Sequence, residues 1–478
     1  MIRSRSVTSI GIRKSGVTTS LAAAAVLAAC WTSAPAQAAD SVAGAQAAKG
    51  NAAAAKGKLA PLTVYRQTKT CVGQSAPAKP VSNGVSWAQQ LLRYTSLWQF
   101  TRGEGVSVAV IDTGVNRSPA FGNRLSGLGD LVVAGGDGLS DCDGHGTLVA
   151  GLIGAAPDAR SGFSGVAPAV RLLSIRQSSE SYGPPENQSG ADPSTDPSGG
   201  PSTAGTPASL ASAIDYAVAR GARVINISEA LCGAAGTIDD GQLSRAVRAA
   251  YQHDVVVVSA AGNLGTEQRC SQQNTAGKTP VTAATPADLP NTLSVGAVDS
   301  NGQPAAFSLA GPWVDVAAPG TSITSTNPHP QGTGQVDRVM TSEGSGTIQG
   351  TSFSAPYVSG VVALVRARFP RLTAAQVISR IELTADHPAG ALGRTDAVGY
   401  GTVDPEAALT AVLPAEGAAG ASAPARPTAL AAIPAKTSEA KAERVGLETS
   451  AGVLGVLVLV FTGRAARRAR PTRKAGPA

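Results

Sequence analysis

Large rings, imidazoles and methionines are scarce here: 4 % of the 478 residues are aromatic, with four histidines and two methionines. Against 55 glycines and an alanine-rich texture, that scarcity points to tight backbone packing and long small-residue linkers. Four histidines and five cysteines leave little material for a zinc site. A basic surplus is also missing from the body of the chain. The formal charge is +7, but Arg3, Arg5, Arg13 and Lys14 stand at the start, and Arg464, Arg467, Arg468, Arg470, Arg473 and Lys474 at the end. Subtracting those ten from +7 leaves about −3 for the middle, which excludes the electrostatic footprint of a nucleic-acid binder. There is no internal repeat.

What is present at the two ends concerns export. The basic start, the apolar run Leu21–Ala29 and Ala36-Gln37-Ala38 predict a signal peptide over residues 1–38, cleaved after Ala38. Leu27-Ala28-Ala29-Cys30 offers the alternative of lipoprotein processing, with Cys30 acylated. Leu447–Gly463 is an apolar stretch of 17 residues. At 1.5 Å per residue it spans roughly 25 Å, just short of a hydrocarbon core of about 30 Å. Six basic residues and no acid follow it, the positive-inside pattern. The expectation is one transmembrane helix over 447–463 in the cell membrane, a basic cytoplasmic tail over 464–478, and the rest of the protein outside. In an exported chain Cys71, Cys142, Cys232 and Cys270 favour two disulfides, with three pairings open.

Between the ends, residues 39–85 form an N-terminal extension, 86–413 the body, and 414–446 an Ala/Pro-rich linker. Within the body Val106–Ile111, Arg223–Ser228, Val255–Ser259, Thr292–Val298 and Trp313–Ala317 are predicted strands. Leu210–Arg220, Leu243–His253 and Ser354–Phe369 are predicted helices. Near-continuous Val/Ile strands alternating with helices indicate an α/β fold with a mostly parallel sheet covered on both faces. Residues 177–207, dense in Ser, Pro and Gly, read as a flexible surface insertion.

In such a sheet ligands gather beyond the carboxyl ends of the strands. One strand ends in Asp112-Thr113-Gly114, and another runs into Ala260-Ala261-Gly262-Asn263. Gly350-Thr351-Ser352-Phe353-Ser354-Ala355-Pro356 opens a helix, where unpaired backbone N–H groups favour negative charge. Ser352 there is either a simple N-cap or a nucleophile, and the small residues Gly350 and Ala355 leave room for a substrate. Asp141-Cys142-Asp143-Gly144-His145-Gly146-Thr147 begins like a calcium loop, but Leu152 stands where the bidentate acid belongs. His145 instead leads into the apolar run Leu148–Ile153 and is placed at a helix start. No cofactor and no metal are expected.

Asp112, His145 and Ser352 in that chain order, with Asn263 before the last, resemble the subtilisin-like serine proteases. The resemblance covers roughly residues 90–410 and rests on DTG at 112–114, HGT at 145–147, AAGN at 260–263 and GTSFSAP at 350–356. It implies a three-layer subtilisin-like fold and an endopeptidase with Asp112, His145 and Ser352 as catalytic triad. The oxyanion hole would be the Asn263 amide and the Ser352 backbone N–H. Substrate main chain would run along Ser228, Glu229, Ala230 and Ala260, Ala261, Gly262. Glu229 departs from the apolar residue usual at its position, which places an acid in the wall of the cleft.

The stretch Leu92–Trp98 leading into Thr101–Val106, together with the whole plan of the chain, is similar to the mycosins. These are membrane-anchored proteases of type VII secretion systems. The resemblance implies protein or peptide substrates, association with a secretion membrane complex, a short wrapping extension and two disulfides. Within that fold Cys232 and Cys270 lie beyond the same sheet edge, which leaves Cys71 with Cys142. The rival readings are a scaffold subunit whose chemistry is secondary, and a soluble digestive protease, against which the anchor weighs.

Overall fold

The computed structural model describes residues 59–71, 85–185, 203–265, 270–341, 344–389 and 393–419. The signal peptide, most of the 177–207 insertion, the linker beyond 419, the 447–463 span and the basic tail lie outside those residues. Among the described residues no helix is long and apolar enough to cross a membrane.

Seven strands make one sheet: β1 (Ser107–Asp112), β2 (Leu125–Asp130), β3 (Arg171–Arg176), β4 (Val224–Ile227), β5 (Val256–Ala260), β6 (Thr292–Val298) and β7 (Val316–Pro319). Their order is β7-β6-β5-β4-β1-β3-β2, and every neighbouring pair is parallel. Every residue of β1 and of β6 is buried, as strands covered on both faces must be. Val108 and Val110 face a core shared with α2 (His145–Gly154) and α5 (Thr351–Arg368), which follow the short α1 (Trp87–Leu92) in the chain. Ala109 and Ile111 face α3 (Pro207–Ala219) and α4 (Gly241–Gln252) on the other side. Two helical layers therefore clamp the sheet, and its strand order turns at β1, whose carboxyl end opens the cleft.

Three differences from the sequence reading have physical causes. First, α5 begins at Thr351, three residues earlier than the apolar pattern suggested, because Gly350 serves as its N-cap. Ser352 is thus inside the helix and is not the capping residue. Pro356 consequently lies beyond the first turn, where it has no N–H to offer the carbonyl of Ser352. Second, the near edge of the 177–207 stretch is packed: Ser178, Ser179 and Ser181 are buried, and Tyr182–Gly183 pairs antiparallel with Arg66–Gln67 of the extension. Third, the body reaches past residue 413. Glu416 is buried and receives Arg380 Nε at 2.6 Å and also Arg380 Nη2, while Arg380 Nη1 donates to the carbonyls of Ala408 and Ala411.

Removing one member of a buried ion pair leaves the other's charge uncompensated. Glu416→Ala therefore lowers unfolding stability by about 3–5 kcal/mol, read as a shifted urea midpoint with an unchanged slope. A midpoint at the wild-type value would show the segment to be a dispensable tether.

Candidate active site

The site is assembled at the carboxyl ends of β1, β4 and β5 and at the amino ends of α2 and α5. Asp112 is the last residue of β1 and is wholly buried. Its Oδ1 lies 2.7 Å from His145 Nδ1 and accepts the Thr113 backbone N–H at 2.8 Å. Among the described residues its Oδ2 has no hydrogen-bond partner. His145, 27 % exposed, is the first residue of α2. Gly146 behind it admits no side chain, because a Cβ there would collide with the Gly114 carbonyl oxygen and come within 3.1 Å of Asp112. That close approach locks the helix start against the strand end and fixes the distance between carboxylate and imidazole.

A second buried carboxylate holds the loop in front of α2. Asp141 Oδ1 accepts Thr113 Oγ1 at 2.8 Å and the Gly144 N–H at 2.7 Å, and its Oδ2 accepts the Thr147 N–H and hydroxyl at 2.8 and 2.6 Å. Asn116 bonds the Asp141 backbone in both directions. Burial pushes the Asp141 carboxyl up to about 7 against these donors. With Asp143 bound to Ser179 and Ser181, both carboxylates of the 141–147 loop have protein donors. Among the described residues no group of His, Cys, Asp and Glu is arranged to hold a metal ion. Thr113, Asn116, Asp141 and Thr147 are the functional support that motif reading passed over, although the two threonines are the middle of DTG and the end of HGT.

For His145, desolvation is the largest effect and lowers its pKa. The charge and hydrogen bond of Asp112, with the charges of Glu229 and Asp141, outweigh it and raise the imidazole from 6.5 to about 9. The ring lies against Phe353, with centroids 5.1 Å apart. No hydrogen bond joins His145 to Ser352, the neighbour of that phenylalanine.

The α5 end of the cleft is shaped around a small void. Asn263 Oδ1 accepts the Thr351 N–H and hydroxyl at 2.8 and 3.0 Å, which turns the amide Nδ2 toward Gly350. Gly350 has φ 144°, and a Cβ there would sit 3.0 Å from Ser352 Oγ and 3.4 Å from Asn263 Nδ2. Hydroxyl and amide thus converge on one point that only a glycine keeps empty.

Of the expected cleft walls, Ser228 is buried and accepts Asn226 Nδ2 at 2.9 Å, and Asn226 in turn accepts the Ser359 hydroxyl of α5 at 2.8 Å. Glu229 is half-buried and accepts the Ser178 hydroxyl. Ala260 and Ala261 are buried at the end of β5, and Gly262 N–H donates to Thr351 Oγ1 at 3.2 Å. The disulfides are Cys71–Cys142 and Cys232–Cys270. The second forms an apolar knot with Ala284 and Leu309, against which Ala230 and Leu264 pack, so it ties together the segments on either side of the cleft. The first fastens the extension beside Asp141 and Asp143.

Residues 103–401 match the subtilase family of peptidases. Mycosin-4 of Mycobacterium tuberculosis is 42 % identical over 418 residues, covering 85 % of this chain and 87 % of the relative. A crystal structure of MycP1 from the ESX-1 type VII secretion system superposes with a TM-score of 0.66 at 42 % identity, covering 75 % of this chain and 94 % of that one. The structure of an intact ESX-5 inner membrane complex holds a chain with a TM-score of 0.66 at 36 % identity, covering 87 % of this chain and 97 % of that one.

Proposed function

The chain belongs to the subtilase family of serine peptidases, on its mycosin branch, and from that premise we propose a membrane-anchored endopeptidase whose triad is Asp112, His145 and Ser352. The observation that carries this reading is the 2.7 Å contact of Asp112 Oδ1 with His145 Nδ1, at the strand end that faces the N-terminus of α5. Ser352 Oγ attacks the scissile carbonyl as His145 Nε2 takes its proton, and the imidazolium then protonates the leaving amine. Asp112 holds the proton on Nδ1 and offsets the charge that forms on the ring. The tetrahedral oxyanion settles in the void beside Gly350, between Asn263 Nδ2 and the Ser352 N–H, whose place in the first turn of α5 leaves it without a helical acceptor.

The anchor rests on the 447–463 run and the basic tail. Type VII secretion is the setting supported by the mycosin relatives, one of them a chain of a membrane complex. That same relative favours a second role, as a scaffold subunit of such an assembly.

Fluorophosphonate labelling of the full chain separates the two. Labelling that vanishes in Ser352→Ala supports the peptidase. A folded wild-type protein that takes up no probe between pH 6 and 10 puts the scaffold first.

A further inference from the structure

A band of arginines and rings lies where the described body ends. The Arg102 guanidinium sits 5.1 Å from the centroid of the Trp98 ring, and that of Arg368 sits 4.1 Å from the centroid of Phe100. Arg368 is also 5.5 Å from the Phe369 ring, whose second cation is Arg380 at 4.4 Å. Arg380 in turn donates to the carbonyl of Ala411, beside Val412, and holds Glu416. These contacts run without a break from 98–102 to 411–416, and the described chain ends at residue 419. Phe100 is 42 % exposed and Val412 93 %. Arg102 is exposed and Arg368 half-buried, and among the described residues neither is in an ion pair. The carboxylate of Glu104, close to Arg102, is turned onto the Thr101 hydroxyl at 2.8 Å and the Arg102 N–H at 2.9 Å. Ser352 and Arg368 stand at opposite ends of α5, roughly 24 Å apart along its axis. The band therefore lies far from the cleft.

Resting on the expected anchor at 447–463, we propose that this band is a membrane-docking face for anionic phospholipid headgroups, with Phe100 and Val412 reaching into the headgroup layer. The tether starts from the same place. Residues 420–446 lead from the band to the anchor, and a coil of that length spans on the order of 30 Å. The anchor thus holds this face close to the bilayer. Arginines beside rings suit that boundary, because a guanidinium matches phosphate while an aromatic ring settles at the headgroup level. Docked in this way, the body turns the amino end of α5, and the cleft with it, away from the lipid.

The test places the full chain in lipid vesicles with bimane on Val412→Cys and a quencher on the lipid headgroups. In phosphatidylglycerol vesicles at low salt the bimane is quenched. It stays bright in phosphatidylcholine vesicles, and in about 1 M salt, where the screening length falls to about 3 Å. Arg102→Gln and Arg368→Gln each lower the ratio of docked to free body about fivefold. Arg102 is exposed, so its variant tests the face even where Arg368→Gln loosens the packing on Phe100. Bimane on Val281→Cys, 52 % exposed and outside the band, stays bright throughout. A bright label at 412 in phosphatidylglycerol, quenching there that ignores lipid charge, or equal quenching at 281 overturns the docking face while the anchor stands, and leaves the band to a protein partner. Release of the chain from the vesicles by alkaline carbonate overturns anchor and docking face together.

Discussion

Asp112→Asn lowers the rate of Ser352 labelling by about ten-thousandfold while leaving the protein folded. The carboxylate has no solvent to share its work: it is wholly buried, and its Oδ1 serves His145 and the Thr113 N–H together. If the asparagine keeps its oxygen there, the imidazolium formed during attack loses its counter-charge, and a new NH2 takes the buried place of Oδ2, which has no hydrogen-bond partner among the described residues. If it turns, its NH2 faces the Thr113 N–H and forces Nδ1 to accept, so that the proton sits on Nε2 and the base is lost. Both outcomes cost activity, and they separate by pH. Once desolvation is reckoned, the Asp112 charge is the leading influence raising His145 toward about 9, so in the variant the imidazole titrates lower than in wild type. A loss that persists at pH 9 is then a loss of orientation and charge and not of deprotonation. Labelling within tenfold of wild type would remove Asp112 from the mechanism.

Gly350→Ala gives the second large loss, at least about a thousandfold, exceeding the effect expected from deleting one oxyanion donor, about 2.7–4 kcal/mol. The methyl group occupies the space proposed for the oxyanion, 3.0 Å from Ser352 Oγ and 3.4 Å from Asn263 Nδ2. It also forces an alanine to φ 144°, a strain of order 1–3 kcal/mol that a thermal melt registers separately. Asn263→Asp is the matched comparison. It retains an oxygen for the Thr351 N–H and hydroxyl, and replaces only the donor. If Gly350→Ala labels as fast as wild type, the oxyanion does not lie in that void.

The motif-bearing parts of the candidate site were legible because each is a short run of distinctive residue types: DTG marks a strand end, HGT a helix start, AAGN the end of β5 and GTSFSAP the opening of α5. Strands β1, β4 and β6 stood out as β-branched runs. Strand β3 did not, because its six residues begin and end with arginine and one of these, Arg176, is buried only through the tertiary fold. Strand β2, with two glycines among six residues, has no periodicity to read. The packed serines 178, 179 and 181 looked like linker because their partners, Asp143 and Glu229, lie 36 and 51 residues away. The helix start at Thr351 was read three residues late because polar Thr351 and Ser352 belong to the cleft while sitting in helical turns.

The position of β1 also has a consequence in time. It is the first strand of the sheet to be synthesised, yet its two neighbours, β3 and β4, begin at Arg171 and Val224. Until those segments arrive, a six-residue strand meant for burial on both faces has two open edges and no sheet to join. Asp112, the last residue of that strand, is thus made early and seated late. Substitutions in β3 or β4 that slow their pairing are expected to reduce the yield of active protein before they change anything in the folded cleft.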